Sequence, residues 1–284
     1  MLLHWNADPI LFTVPGINLS LRWYGLFFAV GFLLGYYFAN REFRNRNLNT
    51  DGLDKLLGYM IAGTLIGARL GHCLAYDPQF YLTHPIEILK IWQGGLASHG
   101  GGLGLIFTTL LYCKIYKYNF LNLADLLCIP TAFVGGMIRV GNFFNSEIYG
   151  KPTNADYGVI FDRIDSIPRH PVQMYESLSY FLISVFLFSV YKHSQKRGSG
   201  FVLGLFFITV FSVRIVLEYF KPEQASYDMN ESMFTVGQYL SMPFIAAGIV
   251  LCILSRVLPD RGMAYHAGFR SKKPPYGGFE YKHN

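Results

Sequence analysis

Residues 123–150 read LADLLCIPTAFVGGMIRVGNFFNSEIYG. The first part of this run is apolar for close to the ~20 residues that span a hydrocarbon core of about 30 Å. Its end nevertheless carries Arg139, Asn142, Asn145 and Glu147. At a helix end in water such residues are ordinary. In lipid, ionisable groups are costly and mark functional sites. The solvent of the chain therefore decides the reading.

Composition points to a membrane. Of 284 residues, 52% are hydrophobic and only 15% charged, against about 25% charged in a typical soluble domain. Seven mostly apolar windows have spanning length: 20–39, 54–76, 96–115, 122–141, 172–191, 200–220 and 234–255. Short connections between them predict one integral membrane domain over 1–258, followed by a polar, basic tail at 259–284. The expected fold is all-α, with seven transmembrane helices and short elements outside the membrane. An aromatic content of 17% fits interfacial belts and lipid-facing surface.

Lysine and arginine placement gives the expected orientation. On one side fall Arg41, Arg44 and Arg46, then Lys114 and Lys117, then Lys192, Lys196 and Arg197. The same side takes Arg256, Arg261, Arg270, Lys272, Lys273 and Lys282. The other side has only Lys90, Lys151, Arg163, Arg169 and Lys221. By the positive-inside rule the richer side is cytoplasmic, so the N-terminus faces the periplasm and the C-terminus the cytoplasm.

The net charge of +6 thus follows from cytoplasmic loops and needs no nucleic acid. The opening MLLHWNADPILF lacks a basic n-region, so no cleavable signal peptide is expected. Cys73, Cys113, Cys128 and Cys252 fall in or beside spans without C-x-x-C pairing, which predicts buried free thiols and neither a metal site nor a disulfide framework. Neither an internal repeat nor an inverted pair of broken segments of the transporter kind is present.

The charges inside spans carry the functional reading. Arg214 and Glu218 are one turn apart on one helix face. They form either a local ion pair that eases insertion or an acid that orients Arg214 towards an anionic ligand. Lys221 lies a further turn out, and phosphate is the natural partner of such a ladder because guanidinium binds it bidentately. Asp125 and Arg139 share a span but are separated by about 21 Å at 1.5 Å per residue, so they do not pair. Asp125 follows Asn122, a plausible N-cap, and sits in a first turn, where a carboxylate is structurally favourable. Asn142 and Glu147 are the local groups able to hold Arg139.

His99 stands among Gly94, Gly95, Gly100, Gly101, Gly102 and Gly104. It reads as a hydrogen-bonded helix-packing residue or as a base. The glycines suit close approach to an anion or close helix packing, and position alone does not separate these. Arg69 and His72, one turn apart, read as structural support or chemistry in the same way. RHPVQMYES, with His170, Gln173, Tyr175 and Glu176, and RWYG, with Arg22 and Tyr24, lie at the outer depth of Arg139 and Arg214. The convergence of Arg139, Arg214, Lys221, His99, Glu147 and Glu218 towards the external half suits an anionic lipid or solute. An enzyme acting on a phospholipid competes here with an anion or lipid transporter that uses the same cation cluster.

At these residues the chain resembles the bacterial prolipoprotein diacylglyceryl transferase family. RVGNFFNSEIYG at 139–150 is similar to that family's signature run. RWYGLFF at 22–28, GARLGH at 67–72, SHGGGLG at 98–104, RHPVQMYE at 169–176, RIVLEYFKPE at 214–223 and VGQYLS at 236–241 follow in family order. The resemblance implies transfer of the diacylglyceryl group of phosphatidylglycerol to the lipobox cysteine of a preprolipoprotein, without a cofactor, at the periplasmic side of the inner membrane. Carried over by position, it makes His99, Arg139, Arg214 and Glu218 catalytic. Tyr24, Asn142, Asn145, Glu147 and Lys221 become substrate-binding, with no metal ligands. Departures are Val210 and Phe211 where the family often has Tyr-Gly, Lys221 for a frequent arginine and Glu223 for a frequent aspartate. The missing tyrosine would then be covered by another of the chain's tyrosines.

Overall fold

A computed structural model describes residues 2–16, 19–45, 50, 52–75, 78–91, 95, 97–153, 157–194, 198–222 and 234–257. Of Val14, Leu19, Ala75, Ser98, His99 and Val236 it describes the backbone alone. The polar tail at 259–284 and Glu223 lie outside the described residues.

Among the described residues, helices of at least 18 residues stand at all seven expected places: α1 (Trp23–Asn45), α2 (Leu53–Ala75), α4 (Ser98–Tyr116), α5 (Phe120–Phe144), α6 (Val172–His193), α7 (Phe201–Glu218) and α8 (Val236–Leu254). A short α3 (Pro78–Thr83) and a 3-10 turn (Pro85–Leu89) lie between α2 and α4. Helices α5 to α8 are long and apolar enough to cross a membrane. In α1, α2 and α4, glycine, tyrosine and charged residues dilute the apolar run. The protein is mostly helical, with the apolar spans of a membrane protein. Helix α6 shows the inversion expected in lipid, with Leu178, Leu182, Val185 and Phe186 exposed on its outer side.

The chain forms two compact units. The first is built on Met1–Phe38 and Asn119–Met263, with α5 packed against α6 and α7, and α7 against α8. Strand β1 (Leu2–Trp5) runs parallel to β4 (Gly158–Phe161), which pairs antiparallel with β5 (Pro168–Arg169). β2 (Ile10–Val14) and β3 (Leu19–Arg22) form a separate hairpin. Trp5 joins this sheet to the end of α5: its indole N–H donates to Phe143 O at 3.1 Å, and its ring packs on Phe143 and Phe144.

The start of α5 corrects one reading. Asn119, not Asn122, is the N-cap, its side chain accepting from Asn122 N at 3.1 Å. Asp125, the sixth residue of α5, therefore lies beyond the first turn; it is structural all the same, but it serves another helix. Its Oδ2 accepts from Gly198 N at 2.9 Å and Gly200 N at 3.1 Å, and its Oδ1 from Leu203 N at 2.8 Å. Gly200, the N-cap of α7, lies in the left-handed region and has no side chain to cap with, so the buried Asp125 satisfies the orphan N–H groups from α5.

The second unit is built on Ala39–Tyr118, with α2 against α4 as its centre. Here the glycines are used for packing. A Cβ at Gly67 would collide with the carbonyl of Gly100, and one at Gly104 with that of Gly63. Gly71 and Gly100 meet in the same way. Arg69 is also structural: its guanidinium donates to Glu87 O at 2.6 Å, Ile88 O at 2.9 Å and Gly95 O at 3.2 Å, and lies over the Tyr81 ring. These bonds tie the α2–α4 connection to α2. The four cysteines are free thiols.

Candidate active site

The cations expected to cluster meet in the first unit where α5 and α7 end and α6 begins. Arg139, five residues before the end of α5, is buried with 11% of its side chain exposed. Its Nε lies 2.8 Å from Glu176 Oε2, an ion pair too poorly aligned to count as a hydrogen bond. Glu176, in the first turns of α6, is fully buried, and its other oxygen accepts from Lys221 Nζ at 3.0 Å. Lys221, just beyond α7 and 5% exposed, lies 3.3 Å from Glu218 Oε2 as well. An alternating chain therefore runs Arg139–Glu176–Lys221–Glu218 across three helix ends. Arg214 adds a third cation to this end, and Glu147, linked to Arg139 through Asn142, a third carboxylate.

The Arg214–Glu218 pair expected from the spacing also takes in Lys221. Both residues of the pair lie on α7, and the Glu218 carboxylate turns to Lys221 and packs on Gly237, where a Cβ would collide with its Oε1. Gly237 opens α8, whose start is fixed by the Thr235–Gln238 capping box and by the Gln238 amide, which donates to Ile215 O at 3.1 Å. The neighbours of Arg214 are Tyr180 and Glu176 of α6, together with Glu218. Tyr180 is the tyrosine that stands beside Arg214. Val210 is buried and Phe211 stacks on Phe244 with centroids 4.2 Å apart, so this part of α7 is packing surface.

The signature run folds back on its own helix end. Arg139 Nη1 donates to Asn142 Oδ1 at 3.3 Å. Glu147 Oε1 accepts from Asn142 Nδ2 at 2.8 Å and Asn145 Nδ2 at 3.1 Å. Glu147 is thus linked to Arg139 through Asn142, while the carboxylate on the arginine is Glu176. Ser146 and Ile148, either side of Glu147, have φ of 54° and 56°. Left-handed backbone at a β-branched residue is rare and stores strain of about 1–3 kcal/mol. Gln173 Nε2, fully buried, holds the Glu147 carbonyl at 2.7 Å, and Arg163 donates to Ser146 Oγ at 3.2 Å. Tyr24 completes this end: its ring packs on Gly141, where a Cβ would come within 2.9 Å of it, and Arg139 and Glu147 are its charged neighbours.

Outside the helices, Arg169 bonds Asp165 at 2.5 Å and holds its carboxyl below the usual carboxylate range. The guanidinium also covers the Tyr149 ring. This pins the β4–β5 turn beside the signature loop. His170 packs against Phe220 and Tyr175. His99 is the expected site residue whose side chain lies outside the described residues; its backbone is in the first turn of α4, within the second unit.

Tyr24, Arg139, Asn142, Asn145, Glu147, Arg214, Glu218 and Lys221 are all brought to this end of the first unit. Gln173 and Glu176 were placed at this depth from the sequence but without a partner, and Tyr180 was not singled out. Their signal was present: 173, 176, 177 and 180 share one face of α6, a polar stripe facing the helix bundle.

Comparison with known proteins identifies the family. The family model described as prolipoprotein diacylglyceryl transferase matches residues 9–254. A protein of Tolumonas auensis named phosphatidylglycerol–prolipoprotein diacylglyceryl transferase is 52% identical over 255 residues, 89% of this chain and 98% of its own. Proteins of the same name from Chloroherpeton thalassium and Bacteroides fragilis are 45% and 38% identical, over 88% and 87% of this chain and 93% of each of theirs. The transporter reading finds no support among these relatives.

Proposed function

The chain belongs to the prolipoprotein diacylglyceryl transferase family, and we propose that it transfers the diacylglyceryl group of phosphatidylglycerol to the lipobox cysteine of preprolipoproteins, the first step of lipoprotein maturation. The observation that carries this reading is the buried Arg139–Glu176–Lys221–Glu218 chain with Arg214 beside it, which brings three fixed cations to one place.

The reaction is a displacement at the glyceryl carbon that bears the phosphate. The cysteine thiol, with a reference pKa near 8.5, gives its proton to a base, and the thiolate attacks. A carbon–sulfur bond forms while the carbon–oxygen bond breaks, and its electron pair leaves with glycerol phosphate. The phosphate gains a second negative charge as it departs, so fixed cations stabilise the transition state more than the bound substrate. Arg139 and Arg214 are assigned to that phosphate, and Glu218 and Lys221 to the charge cluster around it. Glu147, with Asn142 and Asn145, orients Arg139 or the glycerol hydroxyls, and Tyr24 closes the same end. His99 is the candidate base. His99→Gln should abolish transfer and leave lipid binding intact; loss of lipid binding would make it a headgroup ligand instead.

Seven transmembrane helices within one catalytic domain over 1–258, with the site towards the periplasm of the inner membrane, complete the proposal. The positive-inside distribution and the seven long helices support it. The test is reconstitution in phosphatidylglycerol vesicles with a lipobox peptide, read by peptide mass. A gain of one diacylglycerol on cysteine is expected; an unmodified peptide refutes the reading.

A further inference from the structure

The mechanism above uses Arg139 on phosphate but does not account for the fully buried acid beside it. Glu176 is 0% exposed and pairs with Arg139 on one oxygen and Lys221 on the other, with Arg214 a third charged neighbour. A buried carboxylate is retained at a desolvation penalty that only good pairing offsets. Its position is informative: it holds Arg139 by Nε, the edge of the guanidinium nearest the stem, and Asn142 takes Nη1. The ion pair fixes where the guanidinium sits, and the Nη1 bond limits how it turns. Lys221 has its ammonium between Glu176 at 3.0 Å and Glu218 at 3.3 Å. With only 5% of its side chain exposed, it faces carboxylates.

We propose that Glu176 is the positioning residue for Arg139, and that Lys221 acts through Glu176 as its counter-ion and not as a phosphate ligand. The chain of charges then transmits position from the start of α8, through Glu218 on Gly237, to the arginine of the signature run. This inference rests on the transferase reading, because its readout is the transfer reaction.

The experiment uses the full-length protein in phosphatidylglycerol vesicles with a lipobox peptide, and the variants Glu176→Gln, Lys221→Met, Lys221→Arg and the double variant Glu176→Gln/Lys221→Met. Misplacing a substrate clamp by about 1 Å can cost about 10²-fold in rate. Glu176→Gln is therefore expected to lower kcat about 10²-fold and leave KM for phosphatidylglycerol within about threefold. Lys221→Met should show the same split, and the double variant should be no worse than Glu176→Gln alone, since Lys221 acts through Glu176. Lys221→Arg keeps the cation between the two acids and should restore kcat to within about threefold. A tenfold or larger rise in KM for Lys221→Met, or multiplicative losses in the double variant, would make Lys221 a phosphate ligand and overturn the inference. If Glu176→Gln does not fold, the KM-against-kcat split of Lys221→Met decides alone. A wild-type protein that leaves the peptide unmodified would instead sink the transferase reading itself.

Discussion

Asp125→Asn separates the acid that builds the fold from the acids that build the site. The Asp125 carboxylate accepts three backbone N–H groups at 2.8–3.1 Å around the start of α7. A hydrogen bond to a charged acceptor contributes about 1.5–3 kcal/mol and to a neutral one about 0.5–1.5 kcal/mol. Asparagine can still accept at one oxygen from Gly198 and Gly200, weakened by about 1 kcal/mol each. Its amide would face the Leu203 N–H, donor against donor, and leave a buried group unsatisfied at about 1–3 kcal/mol. The total is roughly 3–5 kcal/mol, and at about 2–4 °C per kcal/mol the thermal midpoint should fall by roughly 6 °C or more. The assay is thermal unfolding in detergent by circular dichroism, paired with transfer measured where both proteins are folded. Turnover per folded molecule should stay near wild type, because Asp125 lies about 21 Å from Arg139 along α5. A midpoint within about 2 °C of wild type would refute the cap. Lost turnover at an unchanged midpoint would move Asp125 into the chemistry.

Arg139→Ala should reduce transfer at least about 10³-fold while the protein remains folded and inserted, as removal of a transition-state charge partner predicts; activity above a tenth of wild type would end its role. Gly67→Ala should lower the thermal midpoint by about 3–10 °C, since its Cβ meets the Gly100 carbonyl and overpacking costs about 1–3 kcal/mol. Gly58→Ala, on the same helix with nothing within 4 Å, is the control and should not lower it. Asp165 should titrate below the reference value near 3.9 in carboxyl-carbon NMR, because Arg169 holds it ionised. A lowered folded value means the contribution of the pair is complete above about 3.9 and is lost as pH falls through that lower value. The β4–β5 turn should accordingly be unchanged from pH 8 to pH 5, and a midpoint at or above 3.9 would contradict the pairing.

What the sequence determined by itself was the solvent, the order of the helices and the reaction. Runs of apolar residues long enough to span lipid leave little choice of element, because every backbone polar group must be satisfied within the segment. The motifs from RWYG to VGQYLS are local strings and were legible as such. The strands of residues 2–22 were not: each is short, and β1 exists because Gly158–Phe161 lies beside it. Pairings between helices were also hidden. Spacing rules see partners three or four residues away, and so reached Glu218 with Arg214 and Lys221 but not Glu176. The acid on Arg139 is Glu176 from another helix, and Asp125 caps a helix whose N-cap, Gly200, lies 75 residues on. The glycines around His99 could have met an anion or a helix. Only the close approach of Gly100 and Gly104 to Gly63, Gly67 and Gly71 decided for the helix, because backbone contact is a property of two packed elements and has no trace in either one alone.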